Sequence, residues 1–216
     1  LSNEYQEGPA IVTKDQKTIY FTRSNNVEAK DDALYLSLYS VTKGMIDKQD
    51  SIIPFSINDD HYSVMHPTIS NDGRKIFFSS NMPGGYGGLD LYYCEILGVQ
   101  VEKVNGNSKK VNKLSDPINL GKSINTEGNE VFPYFMNDNI LFYSSDGRIG
   151  IGGLDIFMAQ NYLDSSLLEI DNIGKPFNSS KDDFSFFISQ DIKFGFLSSN
   201  RSGGKGDDDI YCFKLN

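Results

Sequence analysis

The sequence predicts an all-β chain: a β-propeller built of four-stranded antiparallel blades. Three observations carry this. A strand–turn–strand unit recurs four times, centred on Asp15, Asp72, Asp138 and Asp191, at roughly the 40–60-residue period of propeller blades. Three of the four copies run into a glycine-dense polar loop that closes on Asp, an apolar residue and an aromatic one. No stretch sustains the 3.6-residue apolar period of a helix. One such sheet cannot cover both of its own faces, so it stacks on neighbouring blades.

The elements follow in order. Copy one is EGPAIVTKDQKTIYFTRSN (7–25); it continues to Asp32-Ala33-Leu34-Tyr35 without glycines. Copy two is HPTISNDGRKIFFSSN (66–81). Here Pro67 to Ser70 reads as a first strand. Asn71-Asp72-Gly73-Arg74 reads as a hairpin turn, because Asp-Gly tolerates positive φ at both central positions. Ile76-Phe77-Phe78 is an apolar run without alternation, as for a strand buried on both faces. After the loop, Leu91 to Ile96 is a third strand, and a less apolar fourth lies near 111–120. Copy three is FPYFMNDNILFYSSD (132–146), leading to Asp155-Ile156-Phe157. Copy four is FSFFISQDIKFGFLSSN (184–200), leading to Asp209-Ile210-Tyr211. An Asn-containing loop ending in an acid precedes each copy: SNEYQEGP (2–9), INDDHYSVMHP (57–67), INTEGNEVFP (124–133) and FNSSKDDFS (177–185). The blades are placed at 8–57, 64–120, 131–174 and 183–216. The ring either closes with these four or takes further blades from outside the sequence.

The glycine loops, SSNMPGGYGGLDLY (79–92) and SSNRSGGKGDDDIY (198–211), invite two ligand readings. GGKGDDDIY (203–211) matches the nonapeptide that binds calcium in parallel β-rolls. That site needs tandem nonapeptides stacked turn on turn, and these copies stand far apart. A phosphate cradle needs a helix after the glycines; strands follow here, and Asp207, Asp208 and Asp209 repel an anion. The structural reading is preferred. Glycines allow positive φ and close backbone approach, and the closing Asp accepts hydrogen bonds from loop N–H groups.

Composition excludes several classes. The net charge is −9 and the pI about 4.7, so no basic surface for nucleic acid is expected, and contact with anionic lipid is disfavoured. No apolar run approaches the roughly 18 residues of a membrane span, so this segment does not insert into a membrane. Cys94 and Cys212 are too few for a disulfide scaffold and are expected to be free thiols. With only His61 and His66 available, no zinc site is expected. GxSxG and HExxH are absent. The expectation is a chain with no cofactor, no metal and no catalytic residues, although a carboxylate pair of glycosidase type stays open by count alone. The beginning at Leu1 shows no targeting segment and resembles the interior of a longer polypeptide.

In an up-and-down blade, the loop between strands two and three lies at the same end as the loop to the next blade. Those loops hold Asp31, Asp32, Asp59, Asp60, Glu127, Glu130, Asp182, Asp183, Asp207, Asp208 and Asp209, which predicts an acidic end. The opposite end is expected to carry Lys14, Lys17, Arg74, Lys75, Lys109, Lys110 and Lys193. The candidate interaction face comprises Tyr86, Asp90, Asn125, Glu130, Arg148, Asp155, Asp182, Asp183, Arg201, Asp207 and Asp208.

HPTISNDGRKIFFSSNMPGGYGGLDLYY, INLGKSINTEGNEVFPYF with LFYSSDGRIGIGGLDIF, and IGKPFNSSKDDFSFFIS with GFLSSNRSGGKGDDDIY resemble WD40-like, TolB-type propeller repeats. More narrowly, they are similar to the propeller of OmpA-family, peptidoglycan-associated envelope lipoproteins, one of which belongs to the type IX secretion and gliding apparatus. The resemblance implies a periplasmic, outer-membrane-associated protein. It implies envelope or secretion-system proteins as partners, with peptidoglycan bound only by domains outside this chain. A non-catalytic docking scaffold is the functional expectation. The alternatives are a module binding a glycan or small ligand in the propeller funnel, with Tyr86 as a candidate aromatic, and, less favoured, a glycoside hydrolase.

Overall fold

The computed structural model describes residues 6–24, 35–43, 52–104, 107–137, 139–162 and 166–215. The chain is all-β; among the described residues there are sixteen strands and no helix, hence no helix long and apolar enough to cross a membrane. The first sheet runs β1 (Glu7–Val12), β2 (Thr18–Ser24), β3 (Leu36–Thr42), β4 (Ile53–Pro54). The second runs β5 (Val64–Ile69), β6 (Lys75–Ser80), β7 (Asp90–Val104), β8 (Asn107–Leu114), with β9 (Ile118–Asn119) also paired to β7. The third is β10 (Glu130–Asn137), β11 (Ile140–Ser145), β12 (Asp155–Gln160), β13 (Glu169–Asn172). The fourth has β14 (Asp183–Ile188), β15 (Phe194–Ser199) and β16 (Asp209–Lys214). Apart from the β7–β9 pair, neighbours within each sheet are successive in sequence and antiparallel, as propeller blades require. The expected features at Asp31, Asp32 to Leu34 and Asp138 lie outside the described residues.

Two compact units divide the chain: Leu1–Gly84 with Tyr92–Asn119, and Gly85–Leu91 with Leu120–Asn216. In the first, Leu38 of blade one packs with Ile76, Phe78, Tyr92 and Cys94 of blade two, and Tyr20 borders the cluster. In the second, Phe142 and Ile156 of blade three pack with Phe186, Ile188 and Leu197 of blade four. Rings supply much of this second core: Phe142 lies 4.7 Å from Phe186, and Phe177 4.9 Å from Phe213. The Tyr134 hydroxyl donates to the Ile188 carbonyl at 2.7 Å, so this polar tip between the blades is paired. Ile76, Phe77 and Phe78 are all fully buried, as their unalternating pattern predicts. The other face of β15 presents Phe194 and Phe196 at 44% and 41% exposure.

The first strands begin earlier than expected and carry a bulge. Register shifts between Met65 and Thr68, Val131 and Tyr134, and Phe184 and Phe187. Within these bulges His66, Phe132 and Ser185 take φ of 55°, 53° and 53°. A left-handed residue lets two residues of one strand oppose one of its partner. No glycine marks these positions, so the sequence does not announce them.

His66 is distinctive. Its backbone N–H donates to Thr22 Oγ1 at 2.9 Å, and burial pushes its pKa down to about 3. The folded protein therefore keeps the ring neutral while the unfolded chain takes up a proton below about pH 6.5. Stability is expected to fall as pH drops from about 6.5 towards 3, by up to about 1.4 kcal/mol per pH unit. His66→Phe copies the residue blade three uses at the same bulge. Urea unfolding across this range should show a flatter slope for the variant; equal slopes would reject the assignment.

The hairpin turns differ in detail from the expected geometry. At Asn71–Arg74 only Gly73 has positive φ, 73°. Asp72 instead accepts from Ser70 Oγ at 2.6 Å and from the Arg74 N–H at 2.9 Å. Asp15 does the same with Thr13 and Lys17, and Asp191 accepts from Ser189. These hydroxyl hydrogen bonds hold all three carboxyls below the ordinary carboxylate range.

Candidate functional site

The glycine loops and the loops between blades do share one end of the blade. Gly88 N–H donates to the Gly128 carbonyl at 2.8 Å, and Leu89 N–H to Asn129 Oδ1 at 3.1 Å. The polar residues that recur there form one repeated framework.

The aspartate that closes each glycine loop is its first element. Asp90 accepts from the backbone N–H groups of Tyr86 at 2.6 Å and Gly87 at 3.1 Å. Asp155 accepts from those of Ile151 and Gly152, and Asp209 from Lys205 at 2.7 Å and Gly206 at 3.1 Å. An anion facing a curl of N–H groups satisfies donors that no strand can reach. This is the role the sequence assigns to these residues.

The asparagine of the following loop is the second element. Asn125 Oδ1 accepts from Leu91 N–H at 2.8 Å, and its Nδ2 donates to Leu91 C=O at 3.0 Å. Asn178 makes the same pair with Ile156 at 2.9 Å each way, and Asn58 with Leu38 at 2.8 and 2.6 Å. A side-chain amide offers one donor and one acceptor, as a peptide group does. Each asparagine thus acts as one residue of an added strand.

The Ser-Ser-Asn signature is the third element. Ser80, Ser145 and Ser199 each accept the N–H two residues ahead, at 3.1 Å. The residue after them accepts from the chain just before the first strand: Asn81 from Ser63, Asp146 from Asn129 and Asn200 from Asp182, at 2.6–2.8 Å. Two arginines close the frame. Arg148 donates to the carbonyls of Ser123 and Ile124, and Arg201 to those of Pro176 and Phe177. Arg201 also pairs with Asp183 at 2.5 Å, and Glu130 accepts from Thr126 N–H at 2.8 Å and Ser145 Oγ at 2.6 Å.

The candidate interaction face is accordingly divided. Asp90, Asn125, Glu130, Asp155 and Asp183 are buried, at 2% exposure or less. Their side chains are engaged by the chain's own backbone and, for Glu130 and Asp183, also by Ser145 and Arg201, so they cannot meet a partner. Arg148, Asp182 and Arg201 are half-buried within the same frame, where Asp182 Oδ1 accepts from Leu154 N–H at 2.9 Å. Only Tyr86, Asp207 and Asp208 are open to solvent. Burial separates the two groups, and sequence pattern alone does not show it. Lys109 and Lys110 lie on a β7–β8 arm that leaves blade two beside Arg74, which is expected at the same end.

The glycines are required by close approach. A Cβ on Gly152 would sit inside van der Waals contact of the Ser179 and Lys181 carbonyl oxygens, and one on Gly87 against those of Thr126 and Gly128. Gly152→Ala is expected to cost about 2–3 kcal/mol, as overpacking against rigid backbone does. Ala at Gly84, where open space lies around the Cβ, carries only the strain of φ 94° and is expected to cost about half as much. Thermal unfolding of both variants checks the ranking.

Among the described residues no group of three His, Cys, Asp or Glu is placed to hold a metal. Both cysteines are free; Cys94 is buried and Cys212 exposed. Burial pushes the Cys94 thiol up to about 12, so it is inert. A maleimide reagent should label one thiol in the folded protein and two in urea; two labels without urea would overturn this.

No protein-family model matches the chain, and no curated protein does. Solved structures do. TolB from Acinetobacter baumannii aligns with a TM-score of 0.54 at 12% identity, over 99% of this chain and 42% of that one. A Mycobacterium tuberculosis puromycin-hydrolyzing peptidase aligns at 0.54 and 10% identity, over 98% and 30%. The tricorn protease aligns at 0.53 and 10% identity, over 95% and 21%. This chain thus spans less than half the length of each. At such identity the likeness establishes the propeller fold and nothing further.

Proposed function

We propose that this chain is a non-catalytic propeller scaffold that docks other proteins at the periplasmic side of the outer membrane. The observation that carries the reading is the employment of the repeated polar residues. Asp, Asn, Ser and Arg recur in the loops, and their side chains bind the chain's own backbone. Repetition here serves loop construction rather than chemistry, and it leaves surface variation to recognise partners. The TolB-like fold and the repeat resemblance support an envelope setting. Within it, the finer proposal is a place among type IX secretion proteins, with peptidoglycan contacts left to other domains of the polypeptide. The peptidases among the similar structures keep hydrolysis as the competing reading.

The test is crosslinking in native cell envelopes, comparing the full polypeptide with a version lacking this segment. Defined outer-membrane or secretion proteins should be lost with the segment. An unchanged set of crosslinked neighbours would reject docking and direct attention to glycan binding and hydrolase assays.

A further inference from the structure

We infer that the open edge of the β7 arm, Leu97 to Lys103, is a docking site for an acidic extended peptide of a partner protein, which adds to it as a further strand. The inference rests on the docking reading and names its surface.

The arm begins where blade two ends. The last contact of β7 with its inner neighbour is the Ile96 N–H donating to the Arg74 carbonyl at 2.8 Å. A register shift between Ile96 and Gly98, with Gly98 at φ 96°, then carries the strand outward. From there β8 follows it to the Val104–Asn107 pair. Among the described residues no strand pairs with its other edge.

The ribbon is anchored. Asn112 on β8 donates to Ser40 Oγ at 2.8 Å and to the Ile53 carbonyl at 2.9 Å. Ser56 N–H donates to the Asn112 carbonyl at 2.9 Å, and Leu114 N–H to Ser56 Oγ at 3.1 Å. These contacts hold the base of the ribbon, across from Ile96 and Val99, against blade one.

Natural edge strands are blunted by charge, by proline or by a covering element. Leu97 to Val101 has no charged residue and no proline. Leu97, Val99 and Val101 are 55%, 54% and 65% exposed. An edge with unpaired backbone groups and an apolar row is a template for strand addition.

Charge selects the occupant. Residues 97–113 hold Lys103, Lys109, Lys110 and Lys113 against one acid, Glu102, a local charge of +3 in a chain of −9. Glu102 pairs with Lys113 at 3.2 Å. The other three lysines form no ion pair among the described residues, although Lys109 stands across from Glu102 in the ladder, and Lys110 stands directly across from Val101. A strand alternating apolar and acidic residues meets valines on one face and lysines around the tip. A second copy of this chain would bring its own +3 arm against this one, which disfavours self-pairing.

The test uses a fluorescent alternating aspartate–valine nonapeptide, its lysine–valine counterpart, and an aspartate–valine peptide N-methylated at alternate residues. Anisotropy titration should show binding of the acidic peptide, weakened by added salt. Lys109→Glu with Lys110→Glu should weaken it about tenfold, and Val99→Ser with Val101→Ser by a similar factor. N-methylation should abolish it, and amides of Leu97 to Lys103 should gain exchange protection on binding. Equal binding of both unmodified peptides, protection elsewhere, or dimerisation through the arm in sedimentation would overturn the inference. In envelopes, if the arm variants retain every crosslinked neighbour that whole-segment removal loses, the arm fails and docking stands. If removal of the segment loses none, docking itself fails.

Discussion

Asp155→Ala is expected to destabilise the protein by about 3–5 kcal/mol, the range for removing one partner from a buried charged network. Asp155 is fully buried and accepts from Ile151 N–H, Gly152 N–H at 3.3 Å and Asn172 Nδ2 at 3.1 Å. Alanine leaves three donors facing a void that water enters poorly. Asp209 performs the same loop closure in blade four, where it is half-buried and its two amide donors lie in an exposed loop. Asp209→Ala is therefore expected to cost only about 1 kcal/mol, since water replaces the lost acceptor. Urea unfolding of the two variants measures the difference. Equal losses would mean that burial does not set the strength of this loop lock. Hydrogen exchange adds a local check: the amides of Ile151 and Gly152 should lose protection in Asp155→Ala at low denaturant, before global unfolding.

Asn178→Asp has a similar expected effect, with a pH signature of its own. The substitution keeps shape and replaces Nδ2, which donates to Ile156 C=O at 2.9 Å and Asn172 Oδ1 at 2.8 Å, by an oxygen. At neutral pH two acceptors then face a carboxylate in a site that is 1% exposed. The expected loss is about 3–5 kcal/mol. The introduced carboxyl is charged at greater cost in the folded state than in the unfolded one, so its folded pKa lies above its unfolded value. The variant should recover stability relative to the parent as pH falls from about 7 to 5, because the protonated carboxyl can donate again. A stability difference that stays constant over that range would show that the amide's donor role is not what the site requires.

These two residues mark how far the sequence is legible. The role of Asp155 is readable because an acid closing a glycine loop, repeated at Asp90 and Asp209, has one economical explanation: the loop has N–H groups and no strand to receive them. The role of Asn178 is not readable in that way. Its asparagine recurs at Asn58 and Asn125, but its partner lies a blade-loop away, and only the folded chain brings the amide beside Ile156. The same limit explains the candidate face. Recurrent polar residues look alike in sequence whether they meet solvent, as Asp207 does, or backbone, as Glu130 does.

The sequence by itself determined the all-β class, the blade repeat, the free cysteines and the structural purpose of the glycine loops. Each follows from local requirements: strand period, turn chemistry, and donors that need a nearby acceptor. Tertiary structure alone decided which polar residues are buried, where His66 and Phe132 adopt left-handed backbone at a bulge, and that β7 continues as an arm past its blade. These depend on which neighbour a strand meets, and packing between distant segments sets that, beyond the reach of any local pattern.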